Sequence, residues 1–286
     1  MVAKIPRPEE DCIDVLNLVL GERVKFRKFY GRIAPDLSAR YVLYDDQKGC
    51  PSGMPPLVLR DYVDSDAEAT ARKKSLIGLY DPEEDKYPYN ELEKLRKKNK
   101  LLACPVCGEP GRPRTLDHCL PKTTYPEFAI NLLNLVPACD WCQGEKLADY
   151  KNAAGSRSFI HPYFDDVNRP LYTIILEQPY LTPVISLEVR KDLPLELQVL
   201  VASHLEGIDF WERFKEYFES SYQSIIRIAS LARTGGQVTV TKAIQSAYLL
   251  AADKGINCWD AVLYRSILDD DDVLDFLENG KLSDFP

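Results

Sequence analysis

Four cysteines near the middle of this sequence are spaced in a way that suits a metal ion. They form two pairs, each separated by two residues: Cys104 with Cys107, and Cys139 with Cys142. Four thiolates in this arrangement satisfy the tetrahedral geometry of Zn2+ and leave no open coordination position. We therefore predict a structural zinc ion that stabilises a short segment with little hydrophobic core. A thiol-redox protein built on the two pairs is the weaker alternative.

Two residues between the cysteine pairs have side chains of the types that hydrolysis of a phosphodiester bond needs. Asp117 and His118 are adjacent, and the chain contains only 3 histidines. Phosphodiester hydrolysis needs a base that deprotonates water and a divalent cation that offsets charge on the phosphate. An imidazole with a pKa near 6.5 can be that base, and a carboxylate suits Mg2+. The hypothesis requires an imidazole that faces solvent. A structure that places the four sulfurs far apart, or the His118 imidazole packed inside and turned away from solvent, would overturn it.

The other cysteines and histidines have simpler interpretations. A thiol nucleophile at Cys119 is disfavoured because no set of positioned partners is visible. His161 is predicted to fix the return of the chain onto this segment, with a role as an extra metal ligand left open. His204 is assigned to the core or the surface. Burial as small apolar side chains is predicted for the isolated cysteines Cys12, Cys50, Cys119 and Cys258.

The segment 101–166 resembles the zinc-stabilised HNH endonucleases. The string that carries the resemblance is CPVCGEPGRPRTLDHCLPKTTYPEFAINLLNLVPACDWCQGEK. That family has a ββα-metal fold, in which a short β-hairpin and the following helix hold one catalytic cation. The resemblance implies that His118 is the general base, that Asp117 binds a catalytic Mg2+ or Mn2+, and that Asn134 orients the base.

One position departs from the family pattern. The third ligand of the catalytic ion falls on Gln143, where the family has Asn or His. The extra methylene displaces the amide oxygen, and Mg2+ demands near-ideal octahedral geometry. An active enzyme with a shifted helix, a weakened enzyme and a protein that only binds all fit this change. Activity is favoured because Asp117, His118, Asn134 and Lys146 are all in place.

The charge distribution indicates how nucleic acid would bind. A net charge of -8 and a pI near 5.1 argue against a chain that coats nucleic acid by bulk electrostatics. Between Lys94 and Lys146, however, 9 basic residues face 5 acidic ones, so this segment carries +4. We predict that it binds nucleic acid, with DNA favoured over RNA. The residues predicted to contact nucleic acid are Arg112, Arg114, Lys122 and Lys146.

The composition is that of a folded protein, with 45% hydrophobic and 28% charged residues. We predict an α+β, mostly helical protein with a central ββα-metal finger of HNH type and a second β-hairpin. The predicted domains are an N-terminal helical region at 1–100, the HNH nuclease finger at 101–166, and a β-hairpin plus C-terminal helical region at 167–286.

Local patterns predict the elements inside these regions. Short apolar pieces predict strands at 114–116 and 134–136, and β-branched runs predict a hairpin formed by 171–177 and 184–189. The helices are predicted from apolar residues at helical spacing and from residues that typically start or end a helix. They cover 12–20, 39–43, 64–79, 89–100, 141–150, 194–203, 210–231, 238–253, 259–268 and 271–279.

Location and partners follow from the same sequence. No stretch reaches the roughly 20 apolar residues of a membrane span, and nothing at the N-terminus resembles a secretory signal. We therefore expect a cytoplasmic protein. The resemblance implies an effector of a bacterial defence system with an ATPase partner subunit. The alternative is a catalytically weakened zinc-finger subunit that binds nucleic acid or acts as a scaffold. The apolar residues of the helices in 210–253 can face a partner, although the chain's own core is the favoured role.

Overall fold

The structure is a computed structural model that describes residues 4–282. Its chain divides into two compact units, and each unit combines separate stretches of sequence. We call Ile5–Lys100 together with Pro113–Asp165 the N-terminal unit. The C-terminal unit consists of Lys4, Leu101–Arg112 and the described residues from Asp166 onward. The division into 1–100, 101–166 and 167–286 stays a prediction about domain organisation.

The N-terminal unit contains five α-helices, two of which begin at a residue whose side chain caps the first turn. The Asp11 carboxylate accepts hydrogen bonds from the backbone N–H groups of Ile13 and Asp14, and the Ser65 hydroxyl accepts one from the N–H of Glu68. Such side chains satisfy donors that the first helical turn leaves unpaired. The helices are α1 (Cys12–Gly21), α2 (Arg27–Asp46), α3 (Asp66–Ile77), α4 (Tyr89–Lys97) and α5 (Asp140–Lys146).

Helix α2 is much longer than the helix predicted at 39–43. Its large apolar and aromatic residues recur every three or four positions, which places them on one buried face. Pro35 lies inside the helix, where it removes one backbone hydrogen bond. The proline and the charged residues around it made the helical pattern hard to recognise in the sequence, so the predicted helix was too short. The buried residues are Phe29, Tyr30, Ile33, Leu37, Tyr41 and Tyr44.

Two short strands of the N-terminal unit form an antiparallel pair. Strand β1 (Thr115–His118) pairs with β2 (Leu135–Ala138), and Asp117 lies opposite Val136. Helix α5 begins two residues after β2 ends and packs against β1. The sequence prediction of two short strands followed by a helix is confirmed. The helix ends at Lys146, where prediction had continued to 150.

The C-terminal unit combines a second hairpin with five helices. Strands β3 (Tyr172–Glu177) and β4 (Val184–Val189) pair antiparallel, which confirms the predicted hairpin. Phe210, Phe214 and Trp259 pack in an aromatic core, so the apolar face of the longest helix serves its own unit. The helices are α6 (Leu195–Gly207), α7 (Phe210–Gly235), α8 (Val240–Lys254), α9 (Trp259–Leu268) and α10 (Asp271–Asn279).

The α+β, mostly helical class predicted from the sequence agrees with this architecture. Helices form most of the regular structure, and the two sheets have two strands each. Within residues 4–282, none of the helices combines the length and the apolar character that a membrane span requires.

Candidate functional site

Strand β1 places Asp117 and His118 on opposite sides of the two-stranded sheet. Neighbouring residues of a strand point to opposite faces, and the contacts of these two follow that alternation. The Asp117 carboxylate meets Lys146 of α5, whereas the His118 imidazole meets the loop between β1 and β2 at Ala129. The adjacent acid and imidazole are therefore held by different parts of the same unit.

The His118 imidazole is fixed in one tautomer. Its Nε2 lies 3.0 Å from the carbonyl oxygen of Ala129. A carbonyl only accepts, so Nε2 carries the hydrogen and Nδ1 is left with the lone pair of a base. Burial lowers the pKa of His118 to about 3, which keeps the ring neutral at pH 7. The side chain is packed inside and only 8% exposed, so the solvent-facing imidazole that the sequence analysis expected is wrong for this structure. A role of His118 as the base stays a prediction, which requires that water reach the buried ring.

Lys146 is buried beside the two candidate catalytic residues. Its Nζ lies 3.1 Å from Oδ2 of Asp117 and donates to the backbone oxygen of His118 at 2.8 Å. Burial raises the pKa of Asp117, and the nearby ammonium opposes that shift. The sequence analysis predicted that Lys146 contacts nucleic acid. In this structure the ammonium instead ties α5 to β1, and the phosphate contact stays a prediction.

Gln143 also ties α5 to β1. Its Nε2 donates to the carbonyl oxygen of Leu116 at 3.0 Å, directly before Asp117 in the chain. The amide oxygen remains as an acceptor. A carboxylate and an amide oxygen are both donors that Mg2+ and Mn2+ accept, so Asp117 and Gln143 fit a hard cation chemically. Their role as its ligands stays a prediction.

Asn134 braces the loop that holds the imidazole. Its Oδ1 accepts from the N–H of Leu120 at 2.7 Å, and its Nδ2 donates to the carbonyl oxygens of Leu120 and Phe128. Phe128 directly precedes Ala129, whose carbonyl holds His118. Asn134 is fully buried, and its contacts hold the loop that meets the His118 imidazole. Its role in orienting a base stays a prediction.

Tyr44 and His161 extend this brace, and the sequence analysis missed Tyr44. The Tyr44 hydroxyl donates to Oδ1 of Asn134 at 2.9 Å and lies 3.0 Å from Nε2 of His161. The N–H of Tyr163 approaches Nδ1 of His161 at 3.4 Å, so both ring nitrogens face protein groups. This arrangement favours the structural role proposed for His161 over metal ligation. The helical pattern of α2 was the one signal that could have identified Tyr44.

The four paired cysteines come together as the spacing predicts. The sulfur atoms of Cys104, Cys107, Cys139 and Cys142 all lie within 4.8 Å of one another. Zn–S bonds of about 2.3 Å in a tetrahedron require sulfur separations of about 3.8 Å, so this cluster is close to the geometry of a bound ion. The cluster fits a structural zinc ion. Among the described residues, no other group of three or more Cys, His, Asp or Glu side chains is close enough to hold a metal.

The C-terminal unit supports the first cysteine pair. The indole N–H of Trp259 donates to the carbonyl oxygen of Cys107 at 2.8 Å, and a guanidinium nitrogen of Arg213 lies 3.7 Å from its sulfur. His204 lies 2.8 Å from the carbonyl oxygen of Val106, so it is a buried structural residue. These contacts hold the backbone between Cys104 and Cys107 in place and bring positive charge close to the sulfur of Cys107.

The remaining candidate residues lie in different environments. Arg112 and Arg114 are exposed, whereas Lys122 is half-buried. Burial raises the pKa of Cys119 to about 12, which argues against a thiolate nucleophile at that position. Binding of nucleic acid by these basic residues stays a prediction.

Comparison with known proteins gives two partial similarities. The chain is 39% identical to Protein ea31 of Escherichia phage lambda over 62 residues, which are 22% of this chain and 21% of that protein. It is 36% identical to the Septu protein PtuB of Bacillus thuringiensis over 61 residues, 21% of this chain and 24% of that protein. No family model matches the chain, and no solved structure matches it. Each similarity thus covers less than a quarter of the relative.

Proposed function

We propose that this chain is a metal-dependent endonuclease of HNH type that hydrolyses phosphodiester bonds in nucleic acid, with DNA favoured. One observation carries the proposal: Asp117 and His118 end a strand that pairs antiparallel with β2, and α5 follows within two residues. This order of two strands and a helix, with the acid and the imidazole on the first strand, is what the resemblance to the HNH family implies.

The side chains divide the work of hydrolysis between them. Nδ1 of His118 would accept a proton from water, because Nε2 is committed to the Ala129 carbonyl. Asp117 and Gln143 would hold Mg2+ or Mn2+, which when bound supplies positive charge to offset the charge on the scissile phosphate. Asn134 would position the base by holding the loop, and the zinc site would stabilise the surrounding segment.

We further propose that the protein works as an effector in a bacterial defence system beside an ATPase partner subunit. The resemblance to HNH proteins encoded next to an ATPase suggests this setting. The partial similarity to a Septu protein supports it.

A second function is favoured by a specific observation. The His118 side chain is buried, and the Asp117 carboxylate is paired with Lys146. Both features suit a zinc-finger subunit that binds nucleic acid or acts as a scaffold without hydrolysis. The two functions therefore differ in whether water and a divalent ion reach Asp117 and His118.

The test compares the wild-type protein with His118→Ala on plasmid DNA and on RNA in Mg2+ or Mn2+, with and without a partner ATPase. We expect the variant to lose about 10²-fold or more of the cleavage rate, which is the usual contribution of a general base. Equal zinc content and equal unfolding midpoints of the two proteins serve as the folding control. Undiminished cleavage by His118→Ala would remove this mechanism. No cleavage by the wild type in any condition would leave the binding subunit.

A further inference from the structure

A tyrosine outside the cysteine-bounded segment packs against the candidate base. Tyr80 ends a 3-10 turn that follows α3, and its ring centroid lies 4.6 Å from that of the His118 imidazole, edge to face. Its hydroxyl reaches the carbonyl oxygen of Leu116 on β1 at 3.4 Å. Both residues belong to the N-terminal unit. Tyr80 is therefore a wall of the candidate site that the motif itself does not contain.

Two cations lie against this same ring. The ammonium nitrogen of Lys122 is 4.0 Å from the Tyr80 ring centroid, and the guanidinium carbon of Arg96 is 5.7 Å from it. A guanidinium nitrogen of Arg96 also approaches the Tyr80 hydroxyl at 3.4 Å. Attraction between a cation and an aromatic face orients both side chains. Helix α4 and the loop after β1 thus bring positive charge to one side of His118.

The two cations differ in whether the protein provides them with a hydrogen-bond or ion-pair partner. Arg96 pairs with Glu93 at 2.7 Å. Among residues 4–282, the ammonium of Lys122 has no hydrogen-bond or ion-pair partner, although the side chain is half-buried. Burial lowers the pKa of Lys122, Asp81 opposes that shift, and Arg96 adds to it. A partly desolvated ammonium with three free donors suits an anionic ligand.

We propose that Lys122 and Arg96, held on the Tyr80 ring, form a phosphate-binding subsite that receives the phosphodiester next to the scissile one. This inference rests on the proposed function, because it assumes that His118 is the base. The His118 ring and the Lys122 ammonium lie 4.6 Å and 4.0 Å from the same Tyr80 ring centroid, so a strand whose scissile phosphate is at His118 brings a neighbouring phosphate within reach of Lys122. Contacts of this kind set the register of the nucleic acid without reading its sequence.

The contacts of the Tyr80 ring decide what this subsite recognises. The Lys122 ammonium lies over the Tyr80 ring and the His118 ring packs against it at an interplanar angle of 63°, so the Tyr80 ring is not free to stack on a base. The subsite therefore recognises phosphate charge. Arg96 and Tyr80 become positioning residues that hold Lys122 beside the base.

The test measures binding separately from cleavage. All proteins carry His118→Ala, so that the DNA is bound and not cut. A fluorescein-labelled 20-base-pair DNA duplex is titrated with each protein at several salt concentrations, and the dissociation constant is measured. The added substitutions are Lys122→Gln, Arg96→Gln, Lys122→Arg and the matched control Lys98→Gln. Lys98 is exposed and directly follows α4, so its variant removes one charge at a nearby position. We expect Lys122→Gln to weaken binding about tenfold or more and to reduce the salt slope by about 0.9, with Lys122→Arg close to the parent.

The results separate the subsite from the function. Equal losses of affinity and slope in Lys122→Gln and Lys98→Gln would overturn the subsite, because bulk charge would then explain both. If the wild type with His118 intact neither binds nor cleaves nucleic acid, the proposed function fails and the subsite falls with it. Cleavage by the wild type together with a selective defect in Lys122→Gln supports both.

Discussion

At the scale of single residues, the four cysteine sulfurs that lie within 4.8 Å of one another need a bound cation. Deprotonated sulfurs repel one another unless a cation binds them, and the free energy of that binding is available to the fold. Arg213 and Trp259 contact the atoms of Cys107, so the protein also prepares the surroundings of the ligands. Thiolates that hold a zinc ion cannot cycle between dithiol and disulfide, so a bound ion would exclude the redox alternative.

We predict that the purified protein carries about one zinc ion per chain and that Cys107→Ser loses most of it. Cys107 is fully buried in the cluster, and serine is a poor replacement for a thiolate ligand. We expect a fall in the free energy of unfolding of at least about 3 kcal/mol, because a structural metal site contributes folding free energy. Elemental analysis and urea denaturation provide the measurements.

The matched control for this experiment is Cys50→Ser. Cys50 is a free cysteine outside the cluster, so its variant should keep the zinc and the stability of the wild type. Full zinc content in Cys107→Ser would show that the four sulfurs do not share an ion.

At the scale of elements, the turn after α2 controls the packing of the brace on Asn134. Gly49 has φ +68°, and its backbone N–H donates to the carbonyl oxygen of Tyr44. A Cβ atom at this position would lie 2.9 Å from Cδ2 of His161 and 2.9 Å from the hydroxyl oxygen of Tyr44. The close approach of the chain to both rings therefore requires glycine.

We predict that Gly49→Ala lowers the free energy of unfolding by about 2–4 kcal/mol. Left-handed backbone costs an alanine about 1–2 kcal/mol, and displacement of two buried rings adds an overpacking term. The measurement is urea denaturation, with near-ultraviolet circular dichroism to report on the aromatic side chains.

Gly31→Ala is the matched control, since Gly31 lies inside α2 and a Cβ there meets nothing within 4 Å. The same chemical change should stabilise the protein by about 0.5–1 kcal/mol. Equal effects of the two substitutions would show that the rings do not depend on the close approach at Gly49.

At the scale of the whole molecule, two buried histidines couple folding to pH. Burial lowers the pKa of His118 to about 3 and lowers the pKa of His161 well below its ordinary value. In the unfolded chain both would titrate near pH 6.5. Below that pH the unfolded state binds more protons, so the stability present above pH 6.5 is lost progressively as the pH falls toward the folded values.

We predict that the free energy of unfolding decreases between pH 6.5 and pH 5 by up to about 1.4 kcal/mol per pH unit for each histidine. Urea denaturation at constant ionic strength measures the slope. His118→Asn should remove one histidine's share of that slope, whatever it does to stability at neutral pH. An unchanged slope in this variant would contradict the assignment of a neutral, buried His118.

Sequence patterns predicted the parts of this protein whose causes are local. The two cysteine pairs, the strands around Asp117 and Asn134 and the helices of the C-terminal unit follow from spacing, periodicity and capping residues only a few positions apart. The helix at 259–268 was predicted to the residue, because its apolar pattern and its ends lie in one short stretch.

The tertiary structure alone decided which side chains surround the site. Tyr44 meets His161 across 117 positions, and Tyr80 meets His118 from a turn outside the motif. The same packing buried Lys146, for which the sequence analysis had predicted contact with nucleic acid. Burial and pairing depend on contacts between residues that are distant in the chain, and such contacts leave no local pattern. The sequence therefore determined the chemistry of the candidate site, whereas packing determined its accessibility and its electrostatics.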